Sequence, residues 1–221
     1  MGKEVVLLDF WPSMFGIRAR IALAEKGVDY DYQEEDLLHG QKSELLLEMN
    51  PVHKKIPVLI HNGRPVCESL VILEYIDEVW ADRAQLMPSD PYRRAQARFW
   101  ADYIDNKVIN GGVMIGKTKG EEKEKAKAEF IGALKVLEEQ ALGDAPFFGG
   151  DEFGFLDVVL VAYYCWFHAI EVEGNFKVEE SCPKICAWGR PCMQRDNVAK
   201  SLPDPQRIHG YVLELKNKYG F

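Results

Sequence analysis

The sequence predicts an α/β domain followed by an all-α domain, and three observations carry that expectation. The first eighty or so residues alternate between strand-like and helix-like apolar periodicity. Residues 81–91 lose that periodicity and hold Pro88 and Pro91, as a linker does. Every apolar repeat after them has the helical period. The expected division is therefore 1–80 for the α/β domain, 81–91 for the linker and 92–221 for the helical domain.

Taken in order, Glu4 to Asp9 is an apolar run of strand length. Phe15 to Lys26 places Ile17, Ala19, Ile21, Ala22 and Leu23 at amphipathic-helix positions, with Gly27 just past the end. Asp29 to Glu34 alternates as a second strand, and Lys42 to Met49 is a short helix stopped by Asn50-Pro51. Pro57 to Ile60 and Pro65 to Cys67 flank Asn62-Gly63, whose ease at positive φ marks a hairpin. Glu68 to Trp80 closes the domain as a helix. Helix-separated strands pair in parallel and a hairpin adds an antiparallel edge, so the sheet should be small, mixed and covered by helices. Beyond the linker, helices are expected over Tyr92–Asn110, Gly120–Ala141, Phe155–Glu171, Cys182–Asp196 and Pro205–Lys218. The run Glu121-Glu122-Lys123-Glu124-Lys125 pairs opposite charges at helical spacing, the mark of a solvated face. Gly111-Gly112 costs about 1 kcal/mol per glycine inside a helix, so a bend or break is expected there.

The composition, 47% apolar and 28% charged over 221 residues, is that of a globular chain able to bury a large core. A net charge of −8, with no basic block beyond Lys54-Lys55, argues against a nucleic-acid partner. No apolar stretch approaches the ~18 residues of a membrane span. Gly2 raises N-myristoylation, but Val6 stands where that motif wants Ser or Thr. A cytosolic protein is expected. The cysteines Cys67, Cys165, Cys182, Cys186 and Cys192 form an odd set, read as reduced thiols. Cys182 and Cys186 are four apart with Cys192 nearby, yet no histidine joins them and Pro183 interrupts the spacing. Structural thiols are the expectation, and no metal site is expected.

The junction DFWPSMFGIRAR joins the first strand to the first helix through Trp11, Pro12 and Ser13. Proteins of the thioredoxin type carry a reactive Cys-x-x-Cys there; Trp11-Pro12-Ser13-Met14 takes its place, which excludes a self-contained dithiol mechanism. A serine nucleophile would need a positioned His base and an acid to orient it, and no motif supplies them. Ser13 remains open between a helix cap and a hydrogen-bond donor to a ligand.

The runs DFWPSMFGIRARIALAEKG, LLLEMNPVHKKIPVLIHNGRPVCESLVILEYIDEVW and PSDPYRRAQARFWADYID closely resemble the plant tau class of glutathione transferases. So do EEKEKAKAEFIGALKVLEEQALGD, FFGGDEFGFLDV, CPKICAW and VAKSLPD, and the likeness covers nearly the whole chain. The resemblance implies a thioredoxin-like N-terminal domain with a C-terminal helical domain, in a homodimer. It implies glutathione as co-substrate, conjugated to small hydrophobic electrophiles in detoxification, with organic-peroxide reduction as a side activity. Ser13 would be the catalytic serine that stabilises the glutathione thiolate. Ile56, before Pro57 in a cis-proline turn, would pair its main chain with the cysteinyl unit. Ser69 would hold the γ-glutamyl carboxylate and Glu68 its ammonium group, while Lys42 and Lys55 would face the glycine carboxylate. The loop around Lys42, LLHGQKSE, departs from the usual tau spelling and is longer. His53 and Lys54 read as surface or packing residues. Arg18 and Asp105 match family positions that bridge the two domains near the γ-glutamyl end, and Asp157 matches an N-terminal cap of the helical domain.

By the same resemblance the electrophile pocket would be lined by Phe15, Ile109, Val113, Gly116, Trp166 and Tyr211. Related sequences carry Tyr, Arg and Trp where this chain has Ile109, Val113 and Gly116, which implies a wider and more apolar pocket. A carrier that binds apolar ligands without turning them over (a ligandin) is the alternative function. A thiol oxidoreductase is a third, and it would want Cys at position 13.

Overall fold

The computed structural model describes residues 4–221; Gly2, considered above for lipidation, lies outside them. One compact unit runs through Leu86 and a second spans Met87 to Phe221, a boundary inside the expected linker.

The first unit is built on a four-stranded sheet: β1 (Val5–Asp9), β2 (Asp31–Glu34), β3 (Val58–His61) and β4 (Arg64–Cys67), in the order β2-β1-β3-β4. β1 runs parallel to β2 and antiparallel to β3, and β3 pairs antiparallel with β4 through a turn at Asn62-Gly63, both at positive φ. The helices are α1 (Met14–Glu25), α2 (Glu44–Met49) and α3 (Ser69–Val79). Alternation along the strands sends Leu8, Val58 and Ile60 to one face, where they form a core with Leu46 of α2. Leu7 and Leu59 point to the other face and are equally buried, as are Ile17 and Ile21 of α1 and Ile72 and Ile76 of α3. A sheet covered on both faces explains why the central strands read as continuous apolar runs. Lys26, buried at the C-terminal end of α1, is held by Asp77 at 2.8 Å and the Trp80 carbonyl at 3.0 Å, and Asp77 also accepts the Leu86 N–H. That buried pair ties α1, α3 and the end of the unit together.

The second unit is helical: α4 (Pro91–Tyr103), α5 (Asn110–Lys117), α6 (Gly120–Leu137), α7 (Phe155–Tyr164), α8 (Phe167–Gly174), α9 (Val178–Ser181), α10 (Pro183–Gln194), α11 (Asp196–Ser201) and α12 (Pro205–Tyr219). Asp90 and Asp204 cap α4 and α12 through their side chains, with Pro91 and Pro205 at the first helical position. Asp157, with no exposure, accepts the Gly154 N–H at 2.9 Å, the Phe148 N–H at 3.0 Å and the Trp188 indole N–H at 2.7 Å. It is the expected cap, and it also ties α7 to α10.

Several expected boundaries need correction. The second strand starts at Asp31 and the second helix at Glu44, both two residues later than read. The expected Phe155–Glu171 helix is two helices, α7 and α8, bent by 46°. The Trp166 N–H bonds back to the Tyr163 carbonyl at 2.9 Å, the tight i+3 closure that ends α7. The expected Cys182–Asp196 helix stops at Gln194, where Arg195 turns extended (φ −73°, ψ 124°), and α11 begins. Tyr92–Asn110 and Gly120–Ala141 both pass into π-helical turns, over Ile104–Ile109 and Glu138–Leu142.

The Gly111-Gly112 pair does not break its helix. α5 runs through both residues, and the irregular turn lies just before them. Close packing is the reason. A Cβ on Gly111 would fall 3.3 Å from the Phe130 Cα of α6, and one on Gly112 would fall 2.0 Å from the Tyr163 hydroxyl. That hydroxyl, fully buried, donates to the Ile109 carbonyl at 3.3 Å. The glycines cost helix propensity and gain the approach of neighbouring helices. Gly112→Ala is therefore expected to destabilise the protein by about 2 kcal/mol or more in denaturant unfolding, although alanine is the better helix former; a stabilised variant would contradict this. Asp157→Ala, which leaves the buried Trp188 indole N–H and the half-buried Phe148 and Gly154 N–H groups without their acceptor, is expected to cost roughly 3 kcal/mol by the same measurement.

Candidate functional site

Strand register decides which residues can meet. Gln33, Leu8, Val58 and Cys67 lie side by side across the sheet. β1 and β2 run toward this row, β3 starts from it and β4 ends on it, so four connections emerge at one edge. They are Phe10–Ser13 after β1, the loop with Lys42 after β2, Ile56-Pro57 before β3 and Glu68-Ser69 after β4. Two of these connections open directly into α1 and α3, which brings two helix N-termini to that edge, where peptide N–H groups favour anions.

Ser13 is half-buried at the N-cap of α1 (φ −64°, ψ 111°), and its Oγ accepts the Gly16 N–H at 3.2 Å. The cap and the ligand donor are compatible roles, since accepting one hydrogen bond leaves the hydroxyl hydrogen to donate. Lys42 is exposed and immediately precedes Ser43, the N-cap of α2. Ser43 is pinned by buried Glu35, which accepts both its N–H (3.0 Å) and its hydroxyl. Asp36 accepts the Leu38 and His39 N–H groups, so the longer loop is anchored at both ends. Lys55 is exposed, and its carbonyl accepts from the Asn50 side chain at 2.9 Å. The Ile56-Pro57 peptide is cis, and Ile56 is half-buried.

Glu68 adopts φ 70° and ψ 121°, an uncommon backbone for a residue with a side chain, of a kind that costs roughly 1–3 kcal/mol. Its carbonyl accepts the Ile72 N–H at 2.8 Å, and its exposed carboxylate lies 3.9 Å from the His53 ring. Ser69, 7% exposed, is the first residue of α3. Arg18 has no exposure, and its Nη1 donates at 3.0 Å to the Oγ of Ser69, the first residue of α3. Its guanidinium also lies 5.2 Å from the centre of the Phe15 ring. Arg18 thus places positive charge beneath the start of α3 and fixes the serine that starts it. Asp105 sits half-buried in the π-helical turn of the second unit.

Asp9 was missed by sequence reasoning. It ends β1 with no exposure, and Arg20 Nε lies 3.2 Å from its Oδ2, yet neither carboxyl oxygen accepts an aligned hydrogen bond. Burial pushes the carboxyl up to about 7, with Arg20 and the Phe10 N–H pulling it down and Glu34 adding to the rise. The visible signal is an acid closing an apolar strand, VVLLD.

In the second unit, Val113 and Gly116 are half-buried on α5, and Ile109 is buried at the end of the π-helical turn. A Cβ added at Gly116 would meet nothing within 4 Å. Trp166, between α7 and α8, packs edge-on against Tyr211 of α12 with ring centres 6.1 Å apart. All five cysteines are free thiols. Burial drives Cys182 and Cys186 up to about 11 and Cys192 higher still, so they are inert packing groups. Among the described residues, no three His, Cys, Asp or Glu side chains gather as metal ligands would.

A thioredoxin-like sheet that presents a capped serine and two helix N-termini at one edge, followed by an all-helical domain, is the architecture of a glutathione transferase. Residues 3–78 match the family model of the glutathione S-transferase N-terminal domain, and residues 120–188 match that of the C-terminal domain. The tobacco (Nicotiana tabacum) probable glutathione S-transferase parC is 61% identical, covering 99% of this chain and 98% of its own. Glutathione S-transferase U25 of Arabidopsis thaliana is 59% identical, covering 100% and 98%. Among solved structures, rice GST1 in complex with glutathione superimposes with a TM-score of 0.94 at 49% identity over 100% of both chains. The tau-class enzyme of mango (Mangifera indica) does so with 0.91 at 40% identity, over 96% of this chain and 98% of its own. The chain belongs to the tau class of the glutathione S-transferase family, and it is an enzyme of glutathione conjugation.

The buried Asp9 gives a stability prediction with a definite sign. A carboxyl whose folded pKa is raised binds more protons folded than unfolded between about pH 4 and pH 7, so its contribution to stability falls as pH rises through that window. Asp9→Asn lacks this titration. Relative to the native chain, it is expected to gain about 1 kcal/mol or more between pH 5 and pH 8 in chemical unfolding. A stability difference independent of pH would contradict the assignment.

Proposed function

We propose that glutathione lies along the edge defined by the Gln33–Leu8–Val58–Cys67 row, with its thiol at Ser13. The shared edge of four connections and two helix N-termini carries this reading. Ser69 and the first N–H groups of α3 receive the γ-glutamyl carboxylate, backed by Arg18, and Glu68 takes the ammonium group. The Ile56 main chain pairs with the cysteinyl unit. Lys42 and Lys55, both exposed, face the glycine carboxylate. The rice relative solved with glutathione supports the ligand.

The energetics suffice without a protein base. A free thiol of pKa about 8.5 is only ~3% ionised at pH 7, and lowering it two units requires about 2.7 kcal/mol. A hydrogen bond from Ser13 to the thiolate supplies roughly 1.5–3 kcal/mol and the α1 terminus about 0.3–1 kcal/mol more. The thiolate then attacks an electrophilic centre on a small hydrophobic substrate, and reduction of organic peroxides follows from the same nucleophile. The protein works as a cytosolic homodimer in detoxification.

Within the helical unit, Ile109, Val113, Gly116, Trp166 and Tyr211 serve the electrophile. The small and apolar side chains at 109, 113 and 116 favour bulkier, more apolar substrates than those of relatives with Tyr, Arg and Trp.

Ser13→Ala is expected to raise the pKa of bound glutathione by about one to two units and to lower kcat/KM at pH 7 by roughly 10- to 100-fold. Retained turnover with an unchanged pH profile would remove Ser13 from catalysis, and no turnover in the native protein would favour the carrier. Gly116→Trp has room for its Cβ, and it is expected to depress kcat/KM for large apolar electrophiles selectively. Equal losses for small and large substrates would refute the specificity assignment.

A further inference from the structure

Asp9 has no part in the binding roles above, yet its position couples it to them. Strand parity sends its side chain to the Leu7 face, where the carboxyl lies against Gly16 so closely that a Cβ there would fall 1.6 Å from Oδ1. Gly16 is the residue whose N–H donates to Ser13 Oγ at 3.2 Å. Arg20, one turn further along α1, reaches Asp9 Oδ2 at 3.2 Å through Nε and the Trp11 carbonyl at 2.7 Å through its terminal nitrogen. A sealed carboxyl thus sits on one side of the first turn of α1, and the Ser13 hydroxyl caps that same turn.

We propose that Asp9 is a positioning residue that sets, through its charge, the pH at which glutathione bound at Ser13 loses its thiol proton. The inference rests on the reading of Ser13 given above. An ionised Asp9 draws on the positive end of α1 and opposes a second negative charge beside it; a protonated Asp9 leaves that field, and Arg20, to the thiolate. The equilibrium is thiol plus Asp9 carboxylate against thiolate plus Asp9 carboxylic acid, with the proton exchanged through solvent and the net charge unchanged. Two such groups titrate as a coupled pair. At an effective dielectric of about 20, unit charges on two sides of one helix turn displace each other's ionisation by roughly one pH unit.

The groups facing Asp9 come from two elements and the chain beside them. Arg20 of α1 and the Phe10 N–H favour its ionisation, and Glu34 of β2 opposes it. Tyr32 of β2 and Tyr30 just before it are themselves pushed up, first by burial and then by the Asp9 charge, so both stay neutral. The carboxyl's own position near neutrality, raised by burial, lets it respond where the enzyme would work.

The test is the ultraviolet absorbance of the thiolate, followed against pH in the protein saturated with glutathione, for the native chain, Asp9→Asn and Ser13→Ala. The native titration is expected to be broadened or two-stepped, and that of Asp9→Asn to be a single step about one pH unit lower. If Ser13→Ala raises the titration and Asp9→Asn leaves it superimposed on the native curve, the Asp9 proposal is overturned and the Ser13 reading stands. If Ser13→Ala changes nothing, the Ser13 reading fails and the proposal with it. Should Asp9→Asn not fold, infrared difference spectra of the native protein decide. Near neutral pH, glutathione is expected to increase the protonated-carboxyl band and S-methylglutathione, which has no thiol to ionise, is not; equal responses to both would overturn the proposal.

Discussion

The arrangement of the N-terminal unit depends on one constraint, the register that aligns Gln33, Leu8, Val58 and Cys67 across the four strands. A slip of one residue in β3 would turn Val58 and Ile60 away from Leu46 and expose the face they now bury. The same slip would carry Ile56-Pro57 and Glu68-Ser69 away from Ser13. Burial of the core therefore specifies the site, because the apolar pattern that fixes pairing also fixes which loops emerge together. Parallel pairing of β1 with β2 and antiparallel pairing with β3 and β4 bring strand ends and strand starts to a common edge. α1 and α3 both begin there, so their positive ends serve one place.

Charge beneath that edge is arranged on two levels. Arg18, fully buried, fixes Ser69 and supports negative charge at the start of α3. Asp9, fully buried under α1, pairs with the half-buried Arg20 and is less well satisfied, since the carboxyl lacks aligned donors. An imperfectly paired buried carboxyl is poor for stability, which makes its position next to the Ser13 turn informative. The second unit has buried polar ties of its own. Asp157 gathers three donors, and Tyr163 ties α7 to the Ile109 carbonyl through a contact that only glycine at 112 leaves room for.

Much of this was legible in the sequence. The central strands, α1 and the Asn62-Gly63 hairpin announce themselves because period and turn chemistry agree. Ser13, Ile56, Glu68 and Ser69 stand in motifs whose family resemblance is specific, and the edge geometry gives them a common location. What stayed hidden is long-range or locally ambiguous. Neither π-helical turn contains a Gly or Pro to mark it, so 104–109 and 138–142 read as ordinary helix. The end of α7 has no Gly or Pro to mark it. Gly111-Gly112 was misread because propensity counts backbone entropy and is blind to Phe130 and Tyr163. The Arg18–Ser69 pair spans 51 positions, and an acid closing a strand looks like punctuation until its burial is seen.

The central claim is that one sheet edge holds the whole tripeptide, with the sulfur at the α1 cap and the γ-glutamyl carboxylate at the start of α3. A crystal structure of the protein with glutathione tests it most directly. The account predicts the sulfur within hydrogen-bond distance of Ser13 Oγ, the γ-glutamyl carboxylate on Ser69 Oγ and the α3 N–H groups, and the cysteinyl main chain paired with Ile56. Glutathione found reversed along the edge, or seated away from Ser13, would contradict it.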